Sequence, residues 1–113
     1  MATTTRTMKQ RSVAQLNIRI RDSAGEFVTT DMFGDFEYLI VDRKSTVLLR
    51  LTLGNGVSKD VDGTGITVNI APEQNDFSGD FYHQFVPLNT LGQELPWSFQ
   101  ERLRILKTYK QEA

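Results

Sequence analysis

The stretch Gly65-Ile66-Thr67-Val68-Asn69-Ile70, which runs into Ala71-Pro72, decides the fold class. Its large apolar side chains fall on every second residue, as they do in a β-strand with one buried face and one solvent-exposed face. Turn-forming residues precede it, and Pro72 ends it because proline cannot donate a hydrogen bond to a sheet ladder. The segment therefore predicts a half-buried β-strand.

The same alternation, or a composition rich in β-branched and aromatic residues, recurs along the chain. The last such run also fits a helix, but its aromatic residues and its alternation favour a strand that ends at about Leu106. Seven or so short strands separated by turn signals predict an all-β fold, an antiparallel β-sandwich. The further strands are expected near 13–21, 27–28, 36–41, 46–53, 57–61, 81–86 and 97–106.

One hairpin is predicted from a dipeptide. Asn55-Gly56 lies between two alternating runs, and this pair favours a type I′ turn, which needs a positive φ at both central residues. Residues 57–61 are therefore expected to fold back on the preceding strand.

Length and composition indicate one globular domain. The chain has 113 residues, of which 39% are hydrophobic and 24% charged, with no cysteine and a formal net charge of −1. Without cysteine there is no disulfide framework and no thiolate metal site. No apolar run is long enough to span a bilayer, and no general excess of positive charge favours nucleic acid. We therefore expect no membrane partner and no nucleic-acid partner.

The ends of the chain differ from its body. Residues 1–12 are rich in threonine and carry Arg6, Lys9 and Arg11 without an acidic residue, which predicts a flexible basic arm. Residues 13–107 form the predicted β-sandwich domain, and 108–113 form a polar tail.

The sequence contains few residue patterns that indicate catalysis. The single histidine, His83, has no second histidine or cysteine to complete a ligand cluster, so a structural role is expected. The run 60–65 superficially resembles a calcium loop, but it lacks the closing glutamate, and a hairpin turn explains it better. We expect a protein that is not an enzyme and has no cofactor and no metal ion.

Several stretches together carry a family likeness. The order of 16–21, the turn 22–25, the run 65–74 and the run 78–82 resembles the immunoglobulin-like domains of tailed-bacteriophage structural proteins, in particular the N-terminal domain family of phage baseplate upper proteins. The resemblance implies an immunoglobulin-like β-sandwich. It also implies a virion structural protein, made in the host cytoplasm, that docks other virion proteins in a tail, baseplate or fibre-attachment assembly.

Two other non-catalytic functions remain open at this point, and an enzyme, which would need His83 in a pocket with at least one carboxylate, is the third alternative. One is a capsid cement or decoration protein. The other is a carbohydrate- or receptor-binding module, in which Tyr38, Tyr82, Trp97 or Tyr109 would stack on sugar rings.

Partner contacts are expected at the arm, at charged residues of edge strands and in the tail, because free strand edges either carry charges or pair with another chain. The partners would be other virion proteins and further copies of the chain in a symmetric homo-oligomer. The candidate residues are Arg6, Lys9, Arg11, Arg19, Arg21, Arg50 and Tyr109.

Overall fold

The structure, a computed structural model, describes residues 5–107. Eight β-strands and two single 3₁₀ turns make up the regular elements of this part of the chain. The 3₁₀ turns are Thr30–Met32 and Pro72–Gln74. The strands are β1 (Thr5–Lys9), β2 (Ala14–Arg19), β3 (Asp35–Val41), β4 (Val47–Leu53), β5 (Gly56–Lys59), β6 (Gly65–Ile70), β7 (Gly79–Leu88) and β8 (Phe99–Leu106).

All eight strands belong to one hydrogen-bonded sheet with the order β1-β8-β7-β3-β4-β5-β6-β2. The two edge strands, β1 and β2, are consecutive in the chain and are joined by the short connection 10–13. The sheet must therefore curl until its two edges come near each other, and it is nearly closed into a barrel. The all-β prediction is confirmed, with eight strands in one curved sheet rather than about seven in two sheets.

The core fills the inside of this curved sheet. Alternate residues of each strand point inward, and the fully buried side chains at the centre include Phe36, Tyr38, Ile40 and Phe85. Tyr38 and Phe85 pack with their ring centroids 5.3 Å apart. His83 lies among these rings with no exposed surface. The interior therefore contains polar atoms that must find partners inside the protein.

The side chain of a buried asparagine, Asn75, forms hydrogen bonds with the turn between the two edge strands. The Asn75 side-chain nitrogen donates hydrogen bonds to the carbonyl oxygens of Lys9 and Ser12, at 3.4 Å and 3.0 Å. The backbone N–H of Arg11 in turn donates to the Asn75 carbonyl at 3.3 Å. These bonds hold the turn against the segment that follows the second 3₁₀ turn.

The prediction of a flexible arm over 1–12 is wrong for residues 5–9, which form β1. This strand pairs in parallel with β8, with Thr5 opposite Arg102 and Lys9 opposite Leu106. Only one of its inward side chains, Met8, is apolar, so local periodicity did not reveal a strand. Its partner strand lies at the other end of the described chain, and such pairing has no local signal. Residues 1–4 and the predicted tail 108–113 lie outside the described residues.

The prediction of a hairpin at Asn55-Gly56 is also wrong. Positive φ angles occur at Gly54 (83°) and Gly56 (95°) but not at Asn55, so the turn is not of type I′. β5 pairs with β4 in parallel over only two residue pairs, and its antiparallel partner is β6. The prediction of a final strand is confirmed, since β8 ends at Leu106.

Candidate functional site

Strand β8 carries polar residues on both of its faces. Leu103 and Ile105 point into the core, and each is 1% exposed. Glu101 lies on the same inward face, whereas Arg102 and Arg104 lie on the outward face and are exposed. β8 therefore contributes to two groups of polar side chains, one inside the curved sheet and one on its outer surface.

The inner grouping, here called the histidine column, consists of Tyr38, His83, Glu101 and Arg6. The Tyr38 hydroxyl lies 2.9 Å from His83 Nδ1. His83 Nε2 lies 3.1 Å from Glu101 Oε1, and Arg6 Nε donates to the same oxygen at 3.2 Å. The column runs from the half-buried Arg6 to the fully buried Tyr38 and His83.

The bonding pattern fixes the position of the proton on the histidine ring. A carboxylate can only accept, so Nε2 of His83 carries the hydrogen that points to Glu101. Nδ1 is then an acceptor and takes the hydrogen of the Tyr38 hydroxyl. Both ring nitrogens of His83 and the hydrogen of the Tyr38 hydroxyl are paired in this way only when the imidazole is neutral.

Burial shifts both titratable groups at the inner end of the column. It lowers the pKa of His83 to about 4, against the opposing effect of the carboxylate of Glu101. It also raises the pKa of Tyr38 far above its usual range. Both side chains are therefore neutral near pH 7, and neither reaches solvent. The column can support the core, but it does not present an acid or base to a substrate.

The outer grouping, here called the arginine groove, consists of Arg43, Asp80, Tyr82, Arg102 and Arg104. These residues line a hollow of about 400 Å³, together with Thr5, Phe81 and Leu103. Cross-strand pairing places Asp80 opposite Arg104 and Tyr82 opposite Arg102 on β7 and β8. Arg43 reaches the groove from the turn between β3 and β4.

Two of the three guanidinium groups in this groove contact the carboxylate of Asp80. Arg104 Nε donates to Asp80 Oδ1 at 2.9 Å, and an Arg43 terminal nitrogen lies 3.6 Å from Oδ2. The hydrogen bond from Arg104, followed by its charge, lowers the pKa of Asp80. Within residues 5–107, Arg102 forms no ion pair. The groove thus keeps an excess of positive charge.

Of the partner residues expected from the sequence, none of the six that lie within the described range lines the arginine groove. Arg6 points inward to the histidine column, and Lys9 ends β1 with an exposed side chain. Arg11 lies in the turn after β1 and forms an ion pair with Asp76.

The other expected contacts lie elsewhere on the sheet. Arg19 forms an ion pair with Asp62, and Arg21 stacks over the ring of Phe27. Arg50 forms an ion pair with a neighbouring glutamate on β3. Tyr109 lies outside the described residues.

The sequence contains a local signal for part of the arginine groove. In the run Arg102-Leu103-Arg104-Ile105, alternation puts both arginines on the face opposite to the buried leucine and isoleucine. Alternation could not show that Arg43 and Asp80 also line the groove, because their position there depends on which strands are neighbours in the sheet.

Two observations bear on metal ions and membranes. In residues 5–107, no group of three or more His, Cys, Asp or Glu side chains lies close enough to hold a metal ion. None of the helices in this part of the chain is long and apolar enough to cross a membrane.

Comparison with known proteins identifies a relative in fold only. No protein-family model and no curated protein matches the chain. The crystal structure of CopC from Methylosinus trichosporium OB3b is similar, with a TM-score of 0.51 and 12% sequence identity. The alignment covers 99% of this chain and 91% of that chain. At this identity the likeness shows a shared β fold.

This finding corrects the functional prediction. A solved structure that shares the fold is CopC, which is not a phage virion protein, and on this finding the prediction of a virion docking protein is wrong. The same finding contradicts the two alternatives, a capsid cement protein and a carbohydrate-binding module. Tyr38, one of the aromatic residues expected to stack on sugar rings, is fully buried. The virion location is wrong on the same finding. The resemblance to a phage domain family and the symmetric homo-oligomer stay predictions.

Proposed function

We propose that this chain is a non-catalytic binding module that holds an anionic group in the arginine groove. The observation that supports this proposal is that Arg43, Arg102 and Arg104 line one hollow of about 400 Å³ that contains a single carboxylate, Asp80. Arginine presents several N–H donors in a fixed plane, a geometry suited to carboxylate and phosphate oxygens.

The placement of the arginines also supports a ligand. Like charges that lie close together repel each other, so such a group is unfavourable for folding unless something compensates. Asp80 compensates part of the charge through Arg104 and Arg43. The charge of Arg102, which is exposed and directly opposite Tyr82, is left for a bound anion.

The chemistry of the two groupings supports binding rather than catalysis. Arginine stays protonated at any physiological pH and does not act as a general base. Asp80 is held ionised by its arginine neighbours. The only imidazole is buried in the histidine column, where both ring nitrogens are already engaged.

The experiment is an NMR titration of the labelled protein with citrate at constant ionic strength. We expect saturable shifts of the backbone signals of Tyr82, Arg102 and Arg104. The double variant Arg102→Gln/Arg104→Gln should lose affinity by about tenfold or more, because each charge-assisted hydrogen bond is worth about 1.5–3 kcal/mol.

A matched control separates the groove from general charge. Arg19→Gln also removes an exposed guanidinium, but from β2 and outside the arginine groove. This variant should bind citrate like the wild type. Equal weakening in the control, or shifts that never saturate, would refute a specific anion site.

A further inference from the structure

The net charge of the arginine groove determines which anions it binds most tightly. The inference drawn from this charge rests on the proposed function. Arg43, Arg102 and Arg104 bring three positive charges, and Asp80 brings one negative charge, so two positive charges remain. We propose that the groove takes a phosphate monoester in its dianionic form, because such a group matches the remaining charge.

The contacts of Asp80 indicate how the groove holds an oxygen ligand. Its two carboxylate oxygens already face Arg104 and Arg43, one oxygen to each guanidinium. A guanidinium has five N–H donors, and the bond to Asp80 uses one donor of Arg104. The terminal N–H groups of Arg104 and the guanidinium of Arg102 therefore remain for the three terminal oxygens of a phosphate.

Charge distinguishes the monoester from other oxygen anions. A phosphate monoester carries nearly two negative charges at neutral pH, whereas a phosphate diester or a carboxylate carries one. Each added charge pair a few ångströms apart at a solvated surface changes affinity by about tenfold at low salt. The groove should therefore bind a monoester about tenfold more tightly than a diester or a carboxylate of the same size.

Lowering the pH changes the ligand and leaves the groove unchanged. The second ionisation of a phosphate monoester lies near pH 6, so the ligand becomes a monoanion at about pH 5. The pKa of Asp80 is lowered by Arg104 and by the nearby charges of Arg43 and Arg102. The carboxylate thus stays ionised over this range, and any loss of preference comes from the ligand.

The experiment compares phenyl phosphate, methyl phenyl phosphate and benzoate, which share a phenyl group and differ in charge. Binding to the full chain is measured by calorimetry and by NMR at about pH 7.5 and about pH 5, at one low ionic strength. Phenyl phosphate should bind about tenfold more tightly than the other two at the higher pH, and this advantage should vanish at the lower pH. A phosphotyrosine pentapeptide tests the source of the group: tighter binding than phenyl phosphate indicates a protein side chain, and equal binding indicates a small molecule.

The outcomes separate this inference from the proposed function. Benzoate binding that equals phenyl phosphate binding, or a preference for phenyl phosphate that survives at about pH 5, would overturn the inference and leave an anion site in place. Failure of all three compounds to shift the signals of Arg102 and Arg104 would overturn both. Asp80→Asn removes the one negative charge of the groove, which raises its net charge from two to three, and should tighten the binding of all three compounds several-fold. Unchanged affinity in this variant would also contradict the inference.

Discussion

The histidine column makes the stability of the fold depend on pH through one residue. The pKa of His83 is lowered to about 4 in the folded state, chiefly because burial disfavours the charged imidazolium. In the unfolded chain the same imidazole has its ordinary pKa of about 6.5. At a pH between these two values, the His83 imidazole is protonated in the unfolded chain and neutral in the folded chain.

The sign and size of the effect follow from this difference. The contribution of His83 to the free energy of unfolding is complete above about pH 6.5, and it is lost progressively as the pH falls toward about 4. A difference of about two to three pKa units corresponds to about 3 kcal/mol, and most of this loss is reached by about pH 4.5. The chain contains no other histidine, so no second imidazole contributes in this range.

The measurement is urea unfolding of the wild type and of His83→Gln at several values between about pH 7.5 and about pH 4.5. The glutamine amide can accept from Tyr38 and donate to Glu101, but it does not titrate. The variant is expected to be less stable than the wild type at high pH because its shape differs from that of the imidazole. Its stability should fall less on acidification, by about 3 kcal/mol, while the acidic residues common to both proteins cancel in the comparison.

Two results would refute this account of the column. One is a pair of parallel stability curves for the wild type and His83→Gln over the whole pH range. The other is an NMR titration of the His83 ring with a midpoint near 6.5, or with the ring proton on Nδ1 rather than Nε2. Either result would mean that the imidazole is not held neutral between Tyr38 and Glu101.

Two further substitutions test the packing of the sheet by urea unfolding. Tyr38→Phe leaves the buried Nδ1 of His83 without a donor and should cost about 1–3 kcal/mol, and a neutral result would contradict the bond between them. Gly34→Ala would place a Cβ atom 2.4 Å from the backbone Cα of Thr90, so it should cost more than about 2 kcal/mol. Gly63→Ala, at a positive φ in open space, is its control and should cost only about 1–2 kcal/mol, and equal losses would argue against the clash.

The sequence predicted the local parts of the fold better than their arrangement. Alternation predicted β6, because one buried face and one solvent-exposed face require it, and alternation together with aromatic residues predicted β8. It could not reveal that β1 joins β8, since Thr5 and Arg102 are adjacent only after the whole sheet has formed. The turn at Asn55 also differs from its prediction, because the positive φ angles lie on the glycines at either side.

The candidate site could be predicted only in part, for the same reason. Arg102 and Arg104 share a face because they are two residues apart in a strand, which the sequence shows. Asp80 and Arg43 meet them through the pairing of β7 with β8 and through the turn after β3, which it does not show. The residues expected as free contacts, such as Arg6 and Arg19, form ion pairs instead.

The register of β1 connects the two polar groupings. In a strand a slip of one residue moves every side chain to the opposite face. Such a slip would turn Arg6 and Met8 to solvent and leave Glu101 beside His83 without its guanidinium. The loss of this inner ion pair therefore disfavours the slipped register. In the observed register, Thr5 lies opposite Arg102 and lines the arginine groove. The buried column thus helps to determine the shape of the surface where we propose that an anion binds.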